Sequence, residues 1–304
     1  MITKRITALV ATVLLILAAV LVRAQIDDNS TSDQSSGTTD QLVCVTELAD
    51  ICRSLELSSL SVRIEESGVT LDAMAVLDPT EQPPLWLTFE PFPAMVDTLR
   101  NGPGDAPLGF EVEPIASSPI ALVTVAGPTA PAVDDCGQPA SWECLGDSGW
   151  ATGFARSTDS GTGLLGVTQA AIGYSQATGL ALTDAQFQRW LRTVVTSVPA
   201  TRLSGGTAIT TIQTRPSSMD IAVGAEAELG TAQSTAFVVQ YAEPMIRADV
   251  ALAVAPDATV PNGLADALAA ALVDAGWDPP AATPDQLPDP ETIAAIRLLW
   301  KELA

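Results

Sequence analysis

Hydroxyls and glycines crowd one stretch of the 304-residue chain, Gly153–Tyr174, GFARSTDSGTGLLGVTQAAIGY. Ser157, Thr158, Asp159, Ser160 and Thr162 mix with Gly161 and Gly163. A small, apolar run follows, with Leu164, Leu165, Val167, Thr168, Ala171 and Ile172 at spacings that suit a buried helix. A loop feeding a helix in this way leaves the first-turn N–H groups without intrahelical partners. Those groups and the hydroxyls can hold an anion or a polar oxygen at the positive end of the helix dipole. The same residue types also start helices as plain N-caps. Taken alone, the segment reads first as a cap and second as a ligand site.

Other chemistry is limited by what the chain lacks. It has no histidine, and its only lysines are Lys4 and Lys301. Ser–His and Cys–His nucleophile pairs and histidine zinc sites are therefore excluded. A Ser–Lys dyad would have to use Lys301, and paired carboxylates stay open as a disfavoured hydrolytic device. No catalytic residue, metal or cofactor is expected. Fourteen basic residues face 36 acidic ones, a net charge of −22. This excludes nucleic acid, which needs a basic footprint, and disfavours anionic membrane surfaces. It suits a self-repelling exterior domain, expected as a monomer.

Cys44, Cys52, Cys136 and Cys144 form two local pairs, each separated by seven residues. In an exported chain they read as the disulfides Cys44–Cys52 and Cys136–Cys144, with locality the reason to prefer this pairing. A four-cysteine metal site is the alternative, but the close C-x-x-C knuckles are missing. Export is signalled at the N-terminus, where Lys4 and Arg5 precede the apolar run Ile6–Val22, which ends before Arg23. Its 17 residues are long for a cleaved core and short for a span, and an uncleaved anchor over 1–24 is slightly favoured. Residues 25–41, polar, acidic and Ser/Thr-rich, are expected to be a disordered tether.

The elements that must position the hydroxyl loop alternate from Leu42 onward. Leu42–Thr46, Ser61–Glu65, Leu85–Phe89 and Ile115–Val125 read as strands, and Glu47–Leu57, Thr70–Leu77 and Pro93–Arg100 as helices. The alternation predicts a mostly parallel α/β sheet. Ligands of such sheets sit beyond the carboxyl ends of the strands. That edge would carry Thr46, Glu47, Thr88–Glu90 and Ser117–Ser118. Further on, Thr183–Val195 reads as a helix capped by Thr183, and Thr207–Gln213 as another. Met219–Val223, Phe237–Tyr241 and Asp249–Ala255 read as strands. Leu264–Ala275 is a helix stopped by Gly276, and a last helix starts at Asp289 and Pro290.

With these segments in place, the chain resembles bacterial extracellular solute-binding proteins of the type 2 periplasmic fold. The likeness is to the branch often fused to von Willebrand A domains. It is carried by PLWLTF (Pro84–Phe89), IASSPIALV (Ile115–Val123), GFARSTDSGTGLLGV (Gly153–Val167), MDIAVGAEAEL (Met219–Leu229) and YAEPMIRADVALAV (Tyr241–Val254). The resemblance implies an α/β fold of two lobes, the first over 42–125 and 241–304 and the second over 126–240, closing on a solute. It places Ser117 and Ser118 in the cleft from the first lobe, and Thr158, Ser160 and Thr162 from the second. Thr88, at the strand edge, joins this set.

Plainer readings stand beside these assignments. Ser117–Ser118 suits a strand-end turn, and Arg156 a surface charge. Asp159 and Glu90 suit caps or solvated groups, and Trp86 and Trp190 suit the core. Asp220 and Glu226 suit a solvated sheet end, with a cationic solute as their alternative role. The expected function is capture of a small polar or anionic solute for an ABC-type permease. The alternative is a membrane-anchored sensor or cell-envelope interaction domain with a degenerate cleft.

Overall fold

The longest strand, β4 (Glu111–Val125), comes from EVEPIASSPIALVTV. Its residues are exposed over 111–114 and almost continuously buried from Ile115 to Thr124. An unbroken apolar and small-residue run is what a strand covered on both faces requires. The computed structural model describes residues 40–55, 60–128, 130–197, 207–232, 236–280 and 287–303. The expected anchor over 1–24 and most of the tether lie outside the described residues. Asp40 and Gln41, assigned to the tether, belong instead to β1 (Asp40–Val45). Among the described residues no helix is long and apolar enough to cross a membrane.

The described strands form one sheet in the order β2-β1-β3-β8-β4-β6-β5, with β7 also on β4. Here β2 is Leu60–Glu65, β3 Leu85–Phe89, β5 Thr152–Phe154, β6 Ile221–Ala225, β7 Phe237–Gln240 and β8 Arg247–Val254. The expectation of a mostly parallel sheet is corrected to a mixed one. β1 lies parallel to β2 and β3, and β5 parallel to β6. β8 is antiparallel to β3 and β4, and β4 antiparallel to β6 and β7. The βα alternation that predicts parallel pairing holds only at the two ends of the sheet.

The register of β4 explains the middle. Glu111 to Pro119 pair with β8, and Ile120 to Val123 pair with β6 on the opposite edge. Leu122 to Val125 pair with β7, so β7 and β8 run consecutively along one side of β4. Two half-sheets are thus joined through β4 on one side and the β7–β8 run on the other, and they change over at Ser117–Ile120.

Helices cover both halves. They are α1 (Ala49–Ser54), α2 (Ser67–Ala75), α3 (Pro91–Asn101), α4 (Trp142–Asp147), α5 (Gly161–Thr178), α6 (Ala185–Ser197), α7 (Ala208–Thr214), α8 (Leu264–Asp274) and α9 (Pro290–Leu303). Several starts follow their sequence signals. The Thr292 amide donates to Asp289 at 2.8 Å ahead of α9, and Thr207, read as the first residue of its helix, is instead the cap of α7. α6 begins two residues later than expected, with the Gln188 amide on the Asp184 carbonyl, so Thr183 lies outside it. The core joins Leu42, Val43, Trp86, Phe89, Phe92, Phe154, Leu165 and Trp300 in one buried cluster. Trp86 and Trp190 are core residues, as expected. Cys44–Cys52 and Cys136–Cys144 are both disulfide-bonded.

Candidate functional site

The N-terminus of α5 is where the hydroxyl loop delivers its polar groups. Ser160 is the N-cap, its Oγ accepting from the Gly163 amide at 3.0 Å and lying 3.3 Å from the Thr162 hydroxyl. The Gly161 amide is still free of intrahelical partners at this point, and it donates to Glu47 Oε1 at 2.5 Å. Glu47 Oε2 accepts from the Ser67 hydroxyl at 2.9 Å. Ser67 opens α2, so the carboxylate of Glu47 lies between the first turns of two helices, one from each half-sheet.

The loop and helices approach too closely for side chains. A Cβ on Gly68 would stand 1.6 Å from the Thr158 carbonyl oxygen, and one on Gly161 would stand 2.4 Å from the Phe89 ring. The Gly68 amide donates to the Asp159 carbonyl at 3.1 Å. Arg297 of α9 ties the same corner, donating to Gly68 O at 2.9 Å, Thr158 O at 3.3 Å and both oxygens of Asp72. Glycine is required here for close approach rather than for an unusual backbone angle.

A second carboxylate stands beside the first. Glu228, in the 3-10 segment Glu226–Ala232, has both oxygens buried and neither in a hydrogen bond. Burial pushes its pKa up to about 7; the nearby Thr162 and Thr207 hydroxyls oppose the shift, and the Glu47 charge adds to it. Burial also raises Glu47, against hydrogen bonds from its own amide, Gly161, Ser67 and Ser160. The pair is therefore best described as two coupled acids. The Ala227 amide of the same segment donates to Ser118 Oγ at 3.0 Å, which links this corner to β4.

At the changeover of β4 the polar groups are mutually satisfied. The Ser117 hydroxyl donates to Asp249 at 2.5 Å and accepts from Arg247 Nε at 2.6 Å. Arg247 also pairs with Asp278 at 2.7 Å. Glu90 lies near Asp249, and burial followed by that charge raises its pKa. Tyr241 donates to Glu226 at 2.8 Å, so Glu226 has a partner rather than a purely solvated end. Asp220 accepts from the Ala151 amide at the head of β5.

The predicted residues thus divide. Ser160 and Thr162 meet Glu47 and Glu228 at the start of α5. Thr158 turns its hydroxyl onto Asp159 at 2.7 Å and presents its carbonyl to Arg297. Arg156 makes a surface pair with Asp159 at 3.4 Å, as a surface charge should. Ser117 and Ser118 sit at the changeover. The Thr88 hydroxyl is fully buried and has no hydrogen-bond partner. Glu228, Arg247 and Asp249 were missing from the expected set, whereas Glu47 was placed at the ligand edge of the sheet without being given a ligand role. Glu47 had a readable signal, since it follows β1 at the carboxyl edge of the sheet. Among the described residues no group of three or more His, Cys, Asp or Glu is placed to hold a metal. The arrangement is one of hydrogen-bond donors and buried acids.

No family model matches the sequence, and no curated protein matches it. Solved structures do. A periplasmic thiamin binding protein aligns over 86% of this chain and 95% of its own, at 11% identity and TM-score 0.56. A ferric binding protein from Campylobacter jejuni aligns over 87% and 99%, at 10% identity and TM-score 0.56. The periplasmic binding protein AfuA from Actinobacillus pleuropneumoniae, with fructose-6-phosphate bound, aligns over 86% and 97%, at 10% identity and TM-score 0.54. The chain has the type 2 periplasmic-binding fold. In that fold's terms, β4 and the β7–β8 run are the two segments that join the half-sheets. The carboxylate pair and Ser160–Thr162 lie where elements of both halves meet.

Proposed function

We propose that this protein is an extracytoplasmic solute-binding protein, acting by closure of two lobes on a small polar solute rather than by catalysis. The first lobe comprises residues 42–125 and 241–304, and the second 126–240. The single observation that carries this reading is the meeting of polar groups from both half-sheets. Glu47 and Ser67 come from one, and Ser160, Gly161, Thr162 and Glu228 from the other. A solute touching both sides has more contacts in the closed state, and that difference in affinity is what drives closure. The thiamin-, ferric- and fructose-6-phosphate-binding proteins of the same fold support the solute class only at this level. Delivery to an ABC-type permease, placement outside the membrane on an N-terminal anchor, and a monomeric state complete the proposal.

A second reading is favoured by one observation. The donors at the start of α5 already hold the protein's own Glu47, as a sensor or envelope domain with a degenerate cleft would. Thermal unfolding of the purified protein against sugars, amino acids, organic cations and oxyanions separates the two. A solute at about 100 times its dissociation constant adds roughly 2.7 kcal/mol. A shift lost in S160A/T162A establishes solute binding at this site. A well-folded protein that responds to none of the panel leaves the degenerate domain.

A further inference from the structure

The Glu47 carboxylate is held as a ligand would be. The Gly161 amide of α5 donates to one of its oxygens and the Ser67 hydroxyl of α2 to the other, and the Ser160 hydroxyl and its own amide add to the hold. The donors belong to helices of 18 and 9 residues whose N-termini converge from opposite half-sheets. The residue that fills the gap between them lies 114 positions from Gly161. Beside it Glu228 keeps two buried oxygens without a hydrogen-bond partner, close enough to feel the Glu47 charge. Phe89 and Phe92 wall the Gly161 side, so little water competes for the donors.

We propose that the α2–α5 corner is a carboxylate-binding seat occupied by a tethered carboxylate, Glu47, and that solutes carrying a carboxylate enter by displacing it. The inference rests on the cleft reading above for its place in the fold. The class follows from the donors. Donors placed on both oxygens of the Glu47 carboxylate match a planar monoanion, whereas a dianionic phosphate would add charge next to the buried Glu228. Tethering gives Glu47 a high effective concentration at the seat, so a free carboxylate competes poorly while the side chain is intact.

Replacing Glu47 with Ala removes the atoms of one acetate ion, which makes acetate the probe. The full chain is compared as wild type, E47A and E47Q by thermal unfolding and by calorimetric titration with acetate, at constant ionic strength against chloride. E47A is expected to unfold at lower temperature. Acetate at tenfold its dissociation constant is expected to raise that temperature by about 3 °C in a saturable way, with wild type unmoved. S67A added to E47A should weaken acetate binding at least tenfold. If E47A does not fold, E47Q keeps the volume and should bind acetate at least tenfold more tightly than wild type does. A folded variant that responds to acetate no more than wild type overturns the seat. The two proposals fail separately. Acetate rescue of E47A with a wild type silent to every solute would sink solute capture and keep the seat. A wild-type solute response without rescue would do the reverse.

Discussion

The amide of Gly161 donates to the carboxylate of Glu47 across 114 positions of sequence, joining the start of α5 to the turn that follows β1. This contact exists only because Gly161 has no side chain, for a Cβ there would meet the Phe89 ring at 2.4 Å and Phe92 at 3.1 Å. G161A is therefore expected to force the aromatic pair aside and lengthen the bond to Glu47, destabilising by about 1–3 kcal/mol. Urea unfolding measures it. An unchanged midpoint would mean that the corner is loosely packed.

Gly68 is the stricter case, because its missing Cβ would lie 1.6 Å from a backbone carbonyl rather than from a ring that can rotate. G68A is expected to cost more than G161A, above about 3 kcal/mol, and to lower the yield of folded protein. The order of the two variants in the same unfolding series is the check.

Stability should depend on pH through Glu228. Burial, the leading cause, raises its pKa to about 7 from 4.5, and Glu47 is raised as well. The folded state therefore holds protons that the unfolded chain has released, and stability falls as pH rises from about 4.5 to about 7. E228Q keeps the shape without the charge. It should exceed wild type by at most roughly 3 kcal/mol above pH 7, with the gap closing near pH 4.5. Parallel profiles for the two proteins would show that Glu228 is not the group responsible.

Arg297 is nearly fully buried, while its partner Asp72 is half exposed and also pairs with Lys301 at 2.9 Å. Burial disfavours the Asp72 charge, and the hydrogen bonds from Arg297 and Lys301 outweigh it, so its pKa is lowered. R297A strands the carbonyls of Gly68 and Thr158 and opens a hole against α2. A loss of about 3–5 kcal/mol is expected. D72N should cost much less, since solvent can replace its partner. Equal losses in chemical unfolding would contradict this asymmetry.

Each disulfide closes a short loop, with its cysteines eight positions apart. Chain entropy assigns about 2–3 kcal/mol to a loop of that size. C136S/C144S is expected to lose about that amount. C44S/C52S should lose more, because Cys44 and Cys52 are buried in the core where a hydroxyl finds poor company. Denaturant midpoints of the two double variants decide the order.

Much of the fold was legible from local pattern. LWLTF at Leu85–Phe89 was read to the residue, because an apolar run of that length between turn signals suits a buried strand. Asp289 announced its helix because a cap is a local hydrogen bond. The three-residue β5 was not read, being too short for any period to show. Nor was the mixed pairing of the sheet. Direction depends on β4 changing partners at Ser117–Ile120, which is a relation between segments far apart in the chain.

For the site, the sequence by itself determined that α5 would begin with free amides and hydroxyls, since Ser160, Gly161 and Thr162 carry that property locally. It determined also that no histidine chemistry would be found there. Only the tertiary structure decided what those donors would hold. Ser160 went to Gly163, Thr158 to Asp159, and the Gly161 amide to Glu47. Composition predicts how many donors and acceptors a chain has, but burial forces each to find a partner within reach. Reach is set by how the half-sheets meet, and that brought two glutamates to one corner and left one of them without a partner.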